Sequence, residues 1–136
     1  MSTSIDRPVP APWRWFFLVA AVYDIALGLA FMLAGETILD GIGMELPPHI
    51  AYFQLAAVFV MVQGLSYLLP WRDAWANEGV VWVGVAYKAS YAALAGYYLV
   101  IGLLPSTFFI PWAALDLCFM VGFLLFLREA ARRRAG

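Results

Sequence analysis

Charge is scarce in this chain, and so are the side chains that most often build redox and metal centres. Of 136 residues, one is a cysteine, Cys118, and one a histidine, His49. A lone cysteine excludes an intrachain disulfide and a CxxC redox pair. A lone histidine excludes bis-histidine haem ligation and a histidine-rich metal site. No glycine-rich phosphate loop is present; the glycines at 28, 64, 84, 96, 102 and 122 are scattered through apolar stretches, as helix packing in lipid uses them. No cofactor and no catalytic motif are therefore read from the sequence. Asp, Glu, Lys and Arg make up only 12% of the residues, which is too little to solvate the surface of a soluble domain of this size.

What is present is apolar: 65% of the chain is hydrophobic and 17% aromatic. The pattern predicts an all-α transmembrane four-helix up-down bundle and leaves no room for a separate soluble domain. Residues 1–12, with Asp6, Arg7 and prolines at 8, 10 and 12, read as a polar, extended tail. Four spans follow, over about 13–35, 49–69, 79–102 and 106–127, and 128–136 form a basic tail able to prolong the last helix. The segment from Glu36 to Pro48 reads as a loop, since it carries three acids, Gly41, Gly43 and Pro47-Pro48. The first apolar stretch is longer than the core of a signal peptide and lacks a small-residue cleavage site, so it is expected to be a span. Cys118, inside the fourth span, is expected to be a buried small side chain, and His49 an interfacial anchor.

The seven arginines, at 7, 14, 72, 128, 132, 133 and 134, fall in the two tails, the first residues of span one and the middle loop, while the first and third loops have no cation. By the positive-inside rule this places both termini in the cytoplasm of a cell's inner (plasma) membrane. Trp13, Trp15, Trp71 and Trp75 gather on the same side as interfacial aromatics, with Trp112 near the other boundary. The Arg132-Arg133-Arg134 run is a topology signal with an attraction to anionic lipid of about 1 kcal/mol per residue, and nucleic acid is not implied as a partner.

Against this background three ionisable residues stand out. Asp24, Lys88 and Asp116 each interrupt a separate apolar stretch, and a charge at bilayer depth costs roughly 3 kcal/mol unless it finds a partner. Counted from the cytoplasmic ends of their spans at 1.5 Å per residue, all three lie roughly 13 to 17 Å deep. Asp24 shares its helix side with Ala20, Ala21, Leu27 and Gly28, and Lys88 with Gly84, Tyr91, Ala92 and Ala95, faces small enough for helices to approach closely. Asp116 has the bulkier surround of Trp112, Ala113, Phe119 and Met120. Tyr23, Tyr87, Ser90 and Tyr91 add hydroxyls at that level. Gln63 and Gln54 point to nearly opposite sides of their helix, so at most one faces the cluster, and Gln63 is taken as the candidate.

The candidate ligand or proton site is thus Asp24, Lys88, Asp116, Gln63, Tyr87 and Tyr91. Three readings stay open: an ion pair that only stabilises and registers the helices, a ligand or proton site with one acid left free by Lys88, and a polar interface with another membrane subunit.

The succession Val22-Tyr23-Asp24 with Gly28, then Gln54, Gly64 and Tyr67, then Val83-Gly84 with Lys88, and finally Leu115-Asp116-Leu117 resembles the small four-helix bacterial membrane proteins grouped as DoxX-like. The likeness covers almost the whole chain. It implies a compact four-helix inner-membrane bundle, associated in some members with oxidoreductase partners or quinone-linked electron transfer, and it carries over no catalytic residue. Small multidrug resistance transporters also have four short helices and a membrane acid. This chain departs from them in adding Lys88 and Asp116 and in its strong arginine asymmetry, which disfavours an antiparallel dimer.

The function expected is that of a small integral membrane protein, non-enzymatic, that binds an apolar or amphipathic ligand or supports a membrane partner complex. Proton-coupled small-molecule transport by a homo-oligomer comes second, and a membrane subunit of an oxidoreductase third.

Overall fold

The computed structural model describes residues 8–135, and every regular element among them is helical. Four long helices, α1 (Ala11–Gly41), α2 (Ile50–Ser66), α4 (Glu78–Val100) and α5 (Phe109–Ala135), are joined by turns and by one short helix, α3 (Leu68–Arg72). Residues 1–7 of the expected amino-terminal tail and Gly136 of the basic tail lie outside the described part. Among the described residues three segments are long and apolar enough to cross a membrane: Ala11–Gly41, Ile50–Arg72 and Phe109–Ala135. Lys88, Ser90 and the tyrosines at 87, 91, 97 and 98 keep α4 below that level of hydropathy.

Several helix boundaries depart from those read in the sequence, each for a local reason. Helix α1 starts at Ala11 inside the expected tail, because Pro12 falls in the first turn, where a missing N–H costs nothing. It runs on through Glu36 and Asp40 to Gly41, so the first part of the expected loop is helical. The backbone is non-helical only at Ala34 (φ −124°, ψ 19°), beside Gly35, whose bare Cα lies against the Phe53 ring. The chain turns at Gly43 (φ 70°) before Pro47-Pro48. The second span is interrupted, because Pro70 has no N–H to offer Ser66 and its ring would strike that carbonyl. Helix α2 therefore stops at Ser66 and α3 restarts at Leu68. Gly102 (φ 71°) makes the tight turn after α4. Helix α5 passes Leu127, the end of its apolar stretch, and carries the basic segment unbroken to Ala135.

Helix α1 packs along its length on α2, and α4 on α5. Both pairs are antiparallel, as the apposition of Gly28 with Met61 and Gly64 with Ile25 shows for the first and that of Lys88 with Asp116 and Glu78 with Arg134 for the second. The two pairs meet through an aromatic core at the end holding both described chain termini. There Phe17 stacks on Phe123 (centroids 5.9 Å, 11°) and meets Phe126 edge-on (5.1 Å, 85°), with Tyr67 against Phe123 at 5.1 Å. Phe17, Tyr67, Phe123 and Phe126 are fully buried. The end is closed by polar links: Trp13 Nε1 donates to Glu129 at 2.8 Å, Arg133 lies over the Trp75 ring at 4.3 Å, and Arg134 pairs with Glu78.

Toward the other end α1 stays in touch with the start of α5 and the residue before it, through Tyr23 with Trp112 (centroids 6.1 Å) and Phe31 with Phe108 (6.3 Å). Helices α2 and α4 do not pack closely on one another, and Ala56 of α2, which lines an internal cavity, is exposed. The aromatic core fills one end of the molecule, and a cavity lined by residues of all four long helices lies beyond it.

Candidate functional site

At the junction between the aromatic core and that space, three helices each contribute one ionisable side chain. Lys88 Nζ of α4 donates to Asp24 Oδ1 of α1 at 2.6 Å and to Asp116 Oδ1 of α5 at 2.8 Å. Lys88 and Asp24 are each 1% exposed and Asp116 6%. Lys88 is a bridge between both carboxylates rather than the partner of one. The ammonium also faces three rings, those of Tyr23, Tyr87 and Phe119, at 5.0, 5.2 and 5.5 Å from the centroids, contacts that stabilise a cation through the ring quadrupole.

The local sequence explains why such a cluster closes. Ala20 and Ala21 are fully buried on the Asp24 side of α1, and Gly64 of α2 leaves room for the Asp24 Cβ. One turn before Lys88, Gly84 accommodates the rings of Tyr67 and Phe123, which shield the cluster from the terminal end. An uncompensated ion in this position would be strongly destabilising, so each of the three depends on the other two. Two carboxylates around one ammonium leave a formal charge of −1 when all three are ionised.

A cavity of about 140 Å³ begins at the cluster and extends among the four long helices to Phe31, Phe53 and Phe109. Asp24, Asp116, Tyr23, Tyr87 and Tyr91 form its polar floor; Leu27, Phe31, Phe53, Val60, Phe109 and Trp112 form most of its wall. Three residues of this lining each carry a buried polar atom with no hydrogen-bond partner in the protein: Asp24 Oδ2, Tyr23 Oη and Trp112 Nε1. Leaving a buried donor or acceptor unpaired costs about 1–3 kcal/mol, and here two donors and one acceptor belong to residues of one cavity lining.

Of the six residues singled out in the sequence, Asp24, Lys88 and Asp116 form the cluster, and Tyr87 and Tyr91 line the cavity beside it. Gln63 does not join them. It makes no hydrogen bond to the cluster, its backbone oxygen accepts from Ser66 Oγ at 2.7 Å, and its Nε2 is buried without a partner away from the cavity lining. The residue on α2 that nears the cluster is Gly64, one position on, which points Gln63 about 100° aside. Ser90 also turns away, its Oγ donating to Ala86 O at 2.7 Å on an exposed face. Gln54 is exposed and donates to Met32 O at 3.3 Å. Cys118, expected to be buried, is exposed. Two residues past Asp116 it lies about 200° around α5, opposite the buried stripe of Asp116, Phe123 and Leu127.

The sequence marks Tyr23 and Trp112 only by their level and by a place near a boundary. Their alignment with the acids is the signal available, since Trp112 lies one turn before Asp116 on the same face. Leu27 and Phe31 likewise continue the Asp24 stripe at three and seven residues. On α2, the Phe53, Ala57 and Val60 stripe has no charge to mark it.

No family model, no curated protein and no solved structure matches this chain.

Proposed function

We propose that this chain is a four-span, up-down helical bundle of the inner membrane, with both termini cytoplasmic, that holds a small apolar or amphipathic ligand in the cavity above the Asp24/Lys88/Asp116 cluster. The observation that carries this reading is a mainly apolar cavity of about 140 Å³ whose floor holds unpaired polar atoms. Ligand sites in proteins are commonly built this way, with apolar walls for affinity and a few polar atoms for orientation.

Helix α4 serves as the remaining span. Its 23 residues reach about 34 Å, enough for a hydrocarbon core about 30 Å thick, and the lysine that lowers its hydropathy is turned inward. The arginines gathered with Trp13 and Trp75 at one end support the orientation. The DoxX-like resemblance fits the same architecture. With α2 and α4 loosely apposed beside Ala56, the ligand reaches the cavity sideways, from the acyl-chain region.

The test is retention of a bound molecule. Protein purified in mild detergent, ejected from the micelle in a native mass spectrometer, is expected to carry a small-molecule adduct. Ala56→Trp, which places an indole at the mouth, is expected to reduce that adduct at least about tenfold while leaving the thermal midpoint close to wild type. An adduct absent from the wild type, or equally abundant in the variant, would count against the reading.

Proton-coupled transport is a second reading, favoured by the excess of one carboxylate over the single ammonium. In proteoliposomes it requires pH-driven flux that disappears in Asp116→Asn.

A further inference from the structure

We infer that the cavity recognises a neutral hydroxyl head group, an alcohol or phenol, carried on an apolar body about the size of one aromatic ring. This inference rests on the ligand-binding reading above and specifies its chemistry.

Three properties of the site select the head group. An anion would meet Asp24 and Asp116, which already outnumber the one ammonium among the charges on the floor. A cation would be drawn to Asp24 Oδ2 but, having only donors, would leave Trp112 Nε1–H without an acceptor, and Lys88 Nζ already occupies the faces of Tyr23 and Tyr87, at 5.0 and 5.2 Å from the centroids. What remains unpaired is the acceptor Asp24 Oδ2, the donor Trp112 Nε1–H, and the Tyr23 hydroxyl. Asp24 is 1% exposed, so its second oxygen has no access to bulk water. A hydroxyl answers both kinds of atom at once, donating its proton to the carboxylate and accepting from the indole or the tyrosine. An ether or carbonyl accepts only and would leave Asp24 Oδ2 unpaired; a hydrocarbon would leave all three unpaired.

Size follows from the volume. An apolar protein cavity of about 150 Å³ takes up a benzene-sized molecule, and this one is about 140 Å³. The rings of Phe31, Phe53 and Phe109 supply the apolar wall for such a body, and any longer tail leaves through the gap between α2 and α4.

Fluorine NMR on the full chain in detergent micelles can test this with four probes of one shape: fluorobenzene, 4-fluorophenol, 4-fluorobenzylamine and 4-fluorobenzoate. Binding is read as saturable broadening relative to empty micelles of the same detergent. The expected result is that 4-fluorophenol binds about tenfold more tightly than fluorobenzene, the gain of one or two satisfied buried hydrogen bonds, and more tightly than either charged probe. Trp112→Phe and Tyr23→Phe, made separately so that one misfolded variant does not end the test, should each narrow the phenol-to-benzene ratio by about threefold. If all aromatic probes bind alike, the cavity exists and the hydroxyl assignment is wrong. If the amine or the benzoate binds best, the charge argument is wrong. If no probe saturates, the ligand-binding reading fails together with this one.

Discussion

Replacing Lys88 by methionine is expected to destabilise the protein by about 3–5 kcal/mol, because it strands two carboxylates in a place that water does not reach. Asp24 and Lys88 are 1% exposed and the ammonium is 2.6 and 2.8 Å from its two acceptors, so no solvent is at hand to replace the lost partner. The same methionine is expected to be far better tolerated when both acids are neutralised with it. The triple variant Lys88→Met, Asp24→Asn, Asp116→Asn removes every buried charge of the cluster and keeps the volumes close, and should recover more than half of the loss. Single Asp24→Asn or Asp116→Asn variants leave a neutral one-to-one pair and should cost less than Lys88→Met. Thermal midpoints in one detergent give the comparison. Losses that simply add from single to triple variant would mean that the three side chains do not act as a unit.

That the three charges belong together is legible in the sequence because lipid-depth charge is costly and because depth can be counted along a helix. Rotation about the helix axis is harder to read. Asp24, Lys88 and Asp116 lie on faces rich in small or aromatic residues, and those faces turn inward. Gln63, whose amide depth alone places among them, is displaced by the neighbouring Gly64, which makes the closer approach to α1. Cys118 departs from expectation for the same reason: position within an apolar stretch says nothing about which side of it faces a neighbour. The cavity is not legible at all, because it is an unfilled volume among residues of four helices, and an unfilled space leaves no pattern in the sequence. The end of α4 is legible because Gly102 forces a turn; that of α1 is misplaced because Glu36 and Asp40, read as loop residues, stay helical up to Gly41, and other boundaries are misplaced where Pro12 and Pro70 act within a turn.

The contact of α1 with α2 is set by two glycines that face each other's helix, and adding one methyl group to either is expected to be among the most damaging small changes in the chain. A Cβ on Gly28 would lie 2.5 Å from Met61 N, 2.7 Å from Ala57 O and 2.8 Å from Met61 Cα. A Cβ on Gly64 would lie 2.6 Å from Ile25 N and 2.9 Å from Ala21 O. Every one of these is a backbone atom, so relief requires the helices to move apart rather than a side chain to rotate. Gly28→Ala and Gly64→Ala are each expected to cost at least about 2–3 kcal/mol, the upper part of the range for overpacking. Gly122→Ala meets only the Phe16 ring, which can swing, and should cost less; Gly79→Ala meets nothing within 4 Å and should be neutral or slightly stabilising in its helix. Both damaging substitutions act on one interface, and once the first has separated α1 from α2 the second finds space, so the double variant should lose less than the sum of the two. The separation also carries Ala57, part of the cavity lining, away from Asp24. A variant with Gly28→Ala that remains folded should therefore bind 4-fluorophenol more weakly, whereas Gly79→Ala should bind it as wild type does. Thermal midpoints and probe affinities that rank Gly28→Ala with Gly79→Ala would show that the two helices are not held at backbone contact.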